Sequence, residues 1–293
     1  MEKNLFPDYS PRHGYLVCID SDGCAFDTME IKHKECFCPA TIHAWNLQPI
    51  SKYVRDAWDF GNLYSKARGS SRFHELCLIF DLLSERDEVK ASGFTLPDIS
   101  SFRRWVETAP LLNNDALEAE GNRTGDPVLK QALNWSHEMN ERAAFMVYGI
   151  PPFPGVRESL KKLAPVCDIA IVSATPREAL EREWAEHDLM QYVHILCAQE
   201  DGTKKECIAA LKGFYQPEKV LMIGDAPGDL KAAHTNGVLY YPIRPGEEMA
   251  SWQEFYGEDL DRFLQGTYAG EREQACIRRF DECLPDTPPW KRN

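Results

Sequence analysis

Tyr15-Leu16-Val17-Cys18-Ile19-Asp20-Ser21-Asp22-Gly23 is the stretch that decides the fold. Five apolar residues in a row read as a strand buried on both faces, the pattern of a parallel sheet. The run ends in two carboxylates one residue apart and a glycine. Both acids therefore stand at the carboxyl edge of the sheet, where open α/β sheets bind their ligands. Two acids so placed divide into a nucleophile and a proton donor, with a cation offsetting their charges. Taken alone, the same residues also fit a capped turn after a strand.

Downstream of about residue 150 the pattern alternates. Pro154-Gly155 breaks the chain, and Val156 to Leu163 has helical spacing. Asp168 to Ser173 reads as a buried strand ending on a hydroxyl. Helix (176–188), strand (His194 to Ala198), helix (203–213), strand (Val220 to Ile223), helix (228–235) and strand (Val238 to Tyr241) follow. Such alternation calls for a parallel sheet with helices on both faces.

Residues 28–149 lack that alternation. Val54, Trp58, Gly61 and Tyr64 suggest one helix, and Phe73, Leu76, Cys77, Phe80 and Leu83 another. Asp126-Pro127 reads as an N-cap and first-turn proline opening a long helix towards Met146. Asn113-Asn114-Asp115 and Gly121 to Gly125 read as turns. A helical domain is thus expected as an insertion after the first strand, giving a core of 1–27 and 150–293 around a helical 28–149. The tail from about 246 adds helical pattern at Trp252 to Leu264 and 271–283, then the irregular Pro285-Asp286-Thr287-Pro288-Pro289.

The composition narrows the partners. Lys+Arg 33 against Asp+Glu 46 gives a net charge of -13, which argues against nucleic acid or an anionic membrane surface. The amino-terminal MEKNLFPDYSPRHG has no apolar stretch of signal-peptide length, and no apolar run reaches membrane-spanning length. The expectation is a cytoplasmic protein. Ten cysteines without a single C-x-x-C pair fit reduced, structural thiols better than zinc or disulfides. Nothing in the pattern fixes an oligomeric state.

Three further strand ends join Asp20 and Asp22. Ser173 offers a hydroxyl and the amides after it. Lys204 and Lys205 open a helix after Glu200-Asp201-Gly202-Thr203, so a cation meets a helix amino terminus, a natural phosphate site. Gly224-Asp225-Ala226-Pro227-Gly228-Asp229 puts two more acids at the edge after Val220-Leu221-Met222-Ile223. Neighbouring strands lie roughly 5 Å apart, so Asp20, Asp22 and Asp225 converge, and packed carboxylates need a cation among them. All-oxygen donors suit Mg²⁺. Lys32, His33, Arg68, Arg72 and Arg244 are candidate contacts for an anionic ligand, each with a plain solvated or structural reading beside it. His43 and His74 have no ligand spacing.

In this order the residues resemble the haloacid dehalogenase-like hydrolase superfamily. Its D-x-D-G motif matches Asp20-Ser21-Asp22-Gly23, its strand-ending Ser or Thr matches Ser173, its helix-start Lys matches Lys204 with Lys205 as rival, and its G-D-x-x-x-D matches Gly224-Asp225 and Asp229. The resemblance covers about 15–27 and 150–242. It implies an α/β fold with a Rossmann-like parallel sheet core and an inserted all-helical cap domain over the site. It also implies roles. Asp20 is the nucleophile and Asp22 the general acid and base, while Ser173 and Lys204 hold the transferred oxygens. Mg²⁺ is bound by Asp20, the Asp22 carbonyl, Asp225 and Asp229. Within the superfamily, the acid at Asp22 favours phosphate esters over the dehalogenase and phosphonatase branches. The expected activity is a Mg²⁺-dependent phosphatase acting on a small phosphorylated metabolite, with a sugar phosphomutase of the β-phosphoglucomutase type, or a non-catalytic metabolite-binding protein, as alternatives.

Overall fold

The computed structural model describes residues 5–7 and 9–291; of the amino-terminal stretch, residues 1–4 and 8 lie outside the described ones. After β1 (Leu16–Ile19) comes a helical run. It comprises α1 (Thr28–Ile31), a π-helical segment (Lys32–Phe37), α2 (Cys38–Ala44), α3 (Ser51–Asn62), α4 (Arg72–Glu85) and α5 (Asp87–Ala91). It continues through α6 (Ser100–Thr108), α7 (Asn114–Thr124) and α8 (Pro127–Met146). Then α9 (Val156–Leu163), β2 (Asp168–Val172), α10 (Arg177–Glu186), β3 (Ile195–Cys197) and α11 (Lys204–Lys212) alternate. β4 (Val220–Gly224), α12 (Pro227–Asn236) and β5 (Leu239–Pro242) complete the alternation. The extension holds α13 (Glu248–Glu254), a π-helical segment (Phe255–Asp259), α14 (Leu260–Leu264) and α15 (Glu271–Cys283).

The five strands form one parallel sheet in the order β3-β2-β1-β4-β5. Ile19 lies beside Ile171 on one flank and Ile223 on the other. The chain builds outward from β1 to β3 and then returns to β4 on β1's other side, so the strand order reverses between β1 and β4, where such sheets open a crevice. Alternate strand residues supply two cores, as a period of two demands. Val17, Ile19, Ile169, Ile171, Leu221 and Ile223 pack with α9, α10, α13 and α14. Leu16, Cys18, Ala170, Val172, Val220 and Met222 pack with α11 and α12. All ten cysteines are free thiols, and nine are buried. Among the described residues no helix is long and apolar enough to cross a membrane.

The described residues form two compact units, those up to Met29 with Tyr148–Pro285, and Glu30–Val147 with 286–291. The second unit has its own core, with Trp45, Trp58, Phe73, Phe102 and Trp135 buried in it. Asp126 caps α8 as its side chain accepts from the Val128 amide at 2.7 Å. Two expectations are corrected here. Asn113-Asn114-Asp115 and Gly121 to Gly125, read as turns, are the two ends of α7: Asn113 caps it by accepting from the Ala116 amide at 2.8 Å, and Gly125 ends it in the left-handed conformation. The last residues, read as part of the core, belong with the helical unit. Trp290 stacks under the Arg86 guanidinium at 4.6 Å and meets Phe60 edge-on at 5.8 Å.

Candidate functional site

β1 delivers Asp20 to the sheet edge, where its amide donates to the Ile223 carbonyl at 3.0 Å, extending the pairing by one residue. The chain then turns back. The Ser21 carbonyl accepts from the Ala25 and Phe26 amides at 2.9 and 3.1 Å, and Gly23 adopts φ 72°, open to glycine. The Ser21 amide donates to Asp20 Oδ1 at 2.8 Å and fixes that carboxylate's direction.

Asp20, Asp225 and Asp229 are all buried, and each offers an oxygen within 4.8 Å of the others. Lys204 reaches into this group, its Nζ 2.5 Å from Asp20 Oδ2 and 2.6 Å from Asp229 Oδ1. Lys205 is exposed, so the geometry selects Lys204. Burial and the nearby Asp229 and Asp225 push the Asp20 carboxyl up to about 8 despite the pull of Lys204. Burial alone would lower the Lys204 ammonium, but Asp20 and Asp229 hold it above its ordinary value. One ammonium among three carboxylates leaves the pocket short of positive charge, and the donors are all oxygen. That set fits a hard divalent cation. Asp229 has a second duty. Its Oδ2 accepts from the amides of Asp225 and Ala226 at 3.2 and 3.1 Å, so it shapes the loop that carries Asp225.

Asp22 stands apart from the cluster. Its Oδ2 accepts from Thr175 Oγ1 at 2.6 Å and its Oδ1 from Thr28 Oγ1. Sequence reasoning missed both threonines; Thr175, two residues beyond Ser173 at the same strand end, was the one readable signal. Ser173 is buried, its amide donating to the Cys197 carbonyl at 3.0 Å and its Oγ accepting from the Thr175 amide at 3.3 Å.

The other candidate cations are engaged within the protein. Arg68 Nη1 donates to the Leu63 carbonyl at 2.9 Å, and Arg72 Nη1 to Asn140 Oδ1 at 2.7 Å and to Ser136. Buried Arg244 meets Glu247 and Glu254 at 2.8 and 3.2 Å. His33 is buried and accepts from Trp58 Nε1 at 3.2 Å, and exposed His43 pairs with Glu138. At the opposite sheet edge His13, Asp168 and His194 also gather. There His194 Nδ1 accepts from the Ile169 amide at 3.0 Å, so Nε2 carries the ring proton and is closed to a metal. Asp168 Oδ2 accepts from the Arg12 and His13 amides and from Tyr215, which makes it a clasp for the amino-terminal segment.

Residues 114–241 match the family model described as haloacid dehalogenase-like hydrolase. No curated protein matches the chain by sequence. Among solved structures, a Bacteroides fragilis protein assigned as a haloacid dehalogenase-like hydrolase is 16% identical, covering 82% of this chain and 93% of that one with a TM-score of 0.48. A Lactobacillus plantarum protein assigned as a phosphoglycolate phosphatase is 15% identical over 78% and 85% of the two chains, TM-score 0.42. The L-2-haloacid dehalogenase of Xanthobacter autotrophicus is 16% identical over 86% and 87%, TM-score 0.39. The match runs from α7 into β5, so the stretch that carries Ser173, Lys204, Asp225 and Asp229 is similar to the haloacid dehalogenase-like hydrolases.

Proposed function

We propose that the protein is a Mg²⁺-dependent phosphatase that hydrolyses a small phosphorylated metabolite through an aspartyl-phosphate on Asp20. The observation that carries this reading is the second carboxylate, Asp22, held by Thr28 and Thr175 two residues from the buried nucleophile. A halide leaves as a stable anion and needs no acid. An alkoxide is strongly basic and leaves well only when protonated.

In the first step an Asp20 oxygen attacks phosphorus, the bond to the ester oxygen breaks, and Asp22 gives that oxygen its proton. In the second step Asp22 takes a proton from water, the water oxygen attacks phosphorus, and the Asp20–phosphorus bond breaks. Inorganic phosphate leaves and both acids return to their starting states. Lys204 and the Ser173 hydroxyl stabilise the transferred oxygens, whose charge is greatest in the transition state. Asp20, the Asp22 carbonyl and Asp225, with Asp229 behind them, are the groups to hold Mg²⁺, which when bound offsets the charge of nucleophile and phosphoryl group.

The test is phosphate release from a panel of phosphorylated sugars, nucleotides and small acids, with and without Mg²⁺, for wild type and Asp20→Asn. Metal-dependent release that vanishes in the variant is expected. Release that persists in the variant removes Asp20 as nucleophile. Interconversion of sugar phosphates without release replaces the phosphatase with a mutase, and silence across the panel defeats both.

A further inference from the structure

The nucleophile loop, Asp20 to Phe26, is gripped by two indole N–H groups from distant parts of the chain. Trp184 of α10 donates from Nε1 to Ser21 Oγ at 2.9 Å, and Ser21 Oγ in turn donates to Glu183 at 2.7 Å. Trp252 of α13 donates from Nε1 to the Cys24 carbonyl at 2.7 Å. Both tryptophans are completely buried, and a buried indole N–H needs an acceptor. Each finds it on this one loop.

The seat of Trp252 is built for it. Gly155 has φ +101°, and a Cβ there would stand 3.0 Å from Trp252 Cβ and 3.2 Å from its carbonyl carbon. The preceding residue ties α13 to the sheet, because Ser251 Oγ accepts from the Arg244 amide at 3.0 Å and its carbonyl accepts from Tyr241 Oη at 2.8 Å. On the other side Trp184 meets Phe26 edge-on at 5.5 Å. The loop is thus fixed near its start by α10 and at its middle by the C-terminal extension. Its first amide, that of Ser21, in turn aims the Asp20 carboxylate.

We propose that Trp252 and Trp184 are positioning residues for Asp20 and Asp22, and that the extension after β5 serves the reaction by carrying one of them. This rests on the reading of Asp20 as nucleophile. The bonds act on the placement of the reacting carboxylates and leave the substrate's own contacts alone, so their loss falls on kcat and spares KM. A displacement near 1 Å costs on the order of 100-fold in rate.

Trp252→Phe and Trp184→Phe keep an aromatic ring and remove the N–H. Each is assayed with p-nitrophenyl phosphate and Mg²⁺, with exposed Met249→Ala on α13 as the control that keeps wild-type kinetics. Expected is a fall in kcat of roughly 10- to 100-fold, with KM within about twofold. Amide hydrogen exchange is read in parallel on the metal-free proteins and needs no turnover. The amides of residues 21–26 exchange faster in both variants, while those of β4 keep their protection. Unchanged loop exchange overturns the proposal, as does unchanged kcat in variants that fold, or a loss of protection spread evenly over the sheet. If wild type releases no phosphate from this ester or from any member of the metabolite panel, the phosphatase reading fails. Exchange then still decides the bracing, and faster exchange confined to 21–26 supports it.

Discussion

Gly224→Ala is a small change at the point where the site is most crowded. A Cβ on Gly224 would lie 2.5 Å from Cβ, Cγ and Oδ2 of Asp229, about 1 Å inside the separation at which such atoms rest. Two responses are open. Asp229 can swing away, leaving the Asp225 and Ala226 amides and the Lys204 ammonium without their acceptor. Breaking a buried charge pair of this kind costs about 3–5 kcal/mol. Alternatively the turn into α12 can shift as a body and keep those bonds, at the usual overpacking cost of about 1–3 kcal/mol. The shift is the cheaper path, and it carries Asp225 away from Asp20.

The expectation is therefore a modest loss of stability with a large loss of activity. A cost of 1–3 kcal/mol lowers the melting temperature by about 2–12 °C in a protein of this size, whereas a displacement near 1 Å lowers kcat by about 100-fold. Thermal unfolding followed by near-ultraviolet circular dichroism and phosphate release on the same preparation read the two effects. In an Asp229→Gly background, where all three crowded atoms are gone, Gly224→Ala costs less than in wild type by about the same 1–3 kcal/mol. Equal costs in the two backgrounds, or a variant with wild-type kcat, refute the reasoning.

Three other perturbations have clear signs. Glu75, buried in the helical unit, is lifted to about 8 by burial against the opposing pull of Arg72. Such an acid keeps its proton only in the folded state, so its penalty grows as pH rises from 4.5 towards 8; Glu75→Gln raises stability on the order of 2 kcal/mol at pH 8 and little at pH 5, as urea unfolding checks. Burial holds His194 below its ordinary 6.5, with Asp168 acting the other way. Its contribution is whole above pH 6.5 and is lost as pH falls through the lower folded value. His194→Asn, which still offers an acceptor to the Ile169 amide, flattens that acid limb of the urea midpoint. Mg²⁺ at about a hundred times its Kd adds about 2.7 kcal/mol of stability to wild type. Asp225→Asn loses most of that gain in the same melting assay; an equal gain in the variant would move the cation elsewhere.

Much of the core is legible in one dimension because parallel strands are buried on both faces. Tyr15–Ile19, Ile169–Val172 and Val220–Ile223 each read as a continuous apolar run, and the first polar residue after each falls at the edge where ligands bind. The choice between Lys204 and Lys205 was also present in the sequence. Cys207, Ile208 and Leu211 are the buried face of α11, and Lys204 precedes the first two by three and four residues, so it shares their face. Helix α7 was hidden by its ends, since Asn113 and Gly125, the residues that start and stop it, are the same types that make turns.

What no periodicity carries is the set of contacts made across the sheet. Thr28 and Thr175 lie 147 residues apart and meet only because both bond to one carboxylate. Trp252 stands 228 residues from Cys24, and its helical pattern announces a buried face without saying what that face grips. The strands put the acids at the sheet edge. Holding them in place falls to bonds from elsewhere in the chain, and on the proposed reading those bonds are where substitutions far from Asp20 in sequence are expected to lower phosphate release.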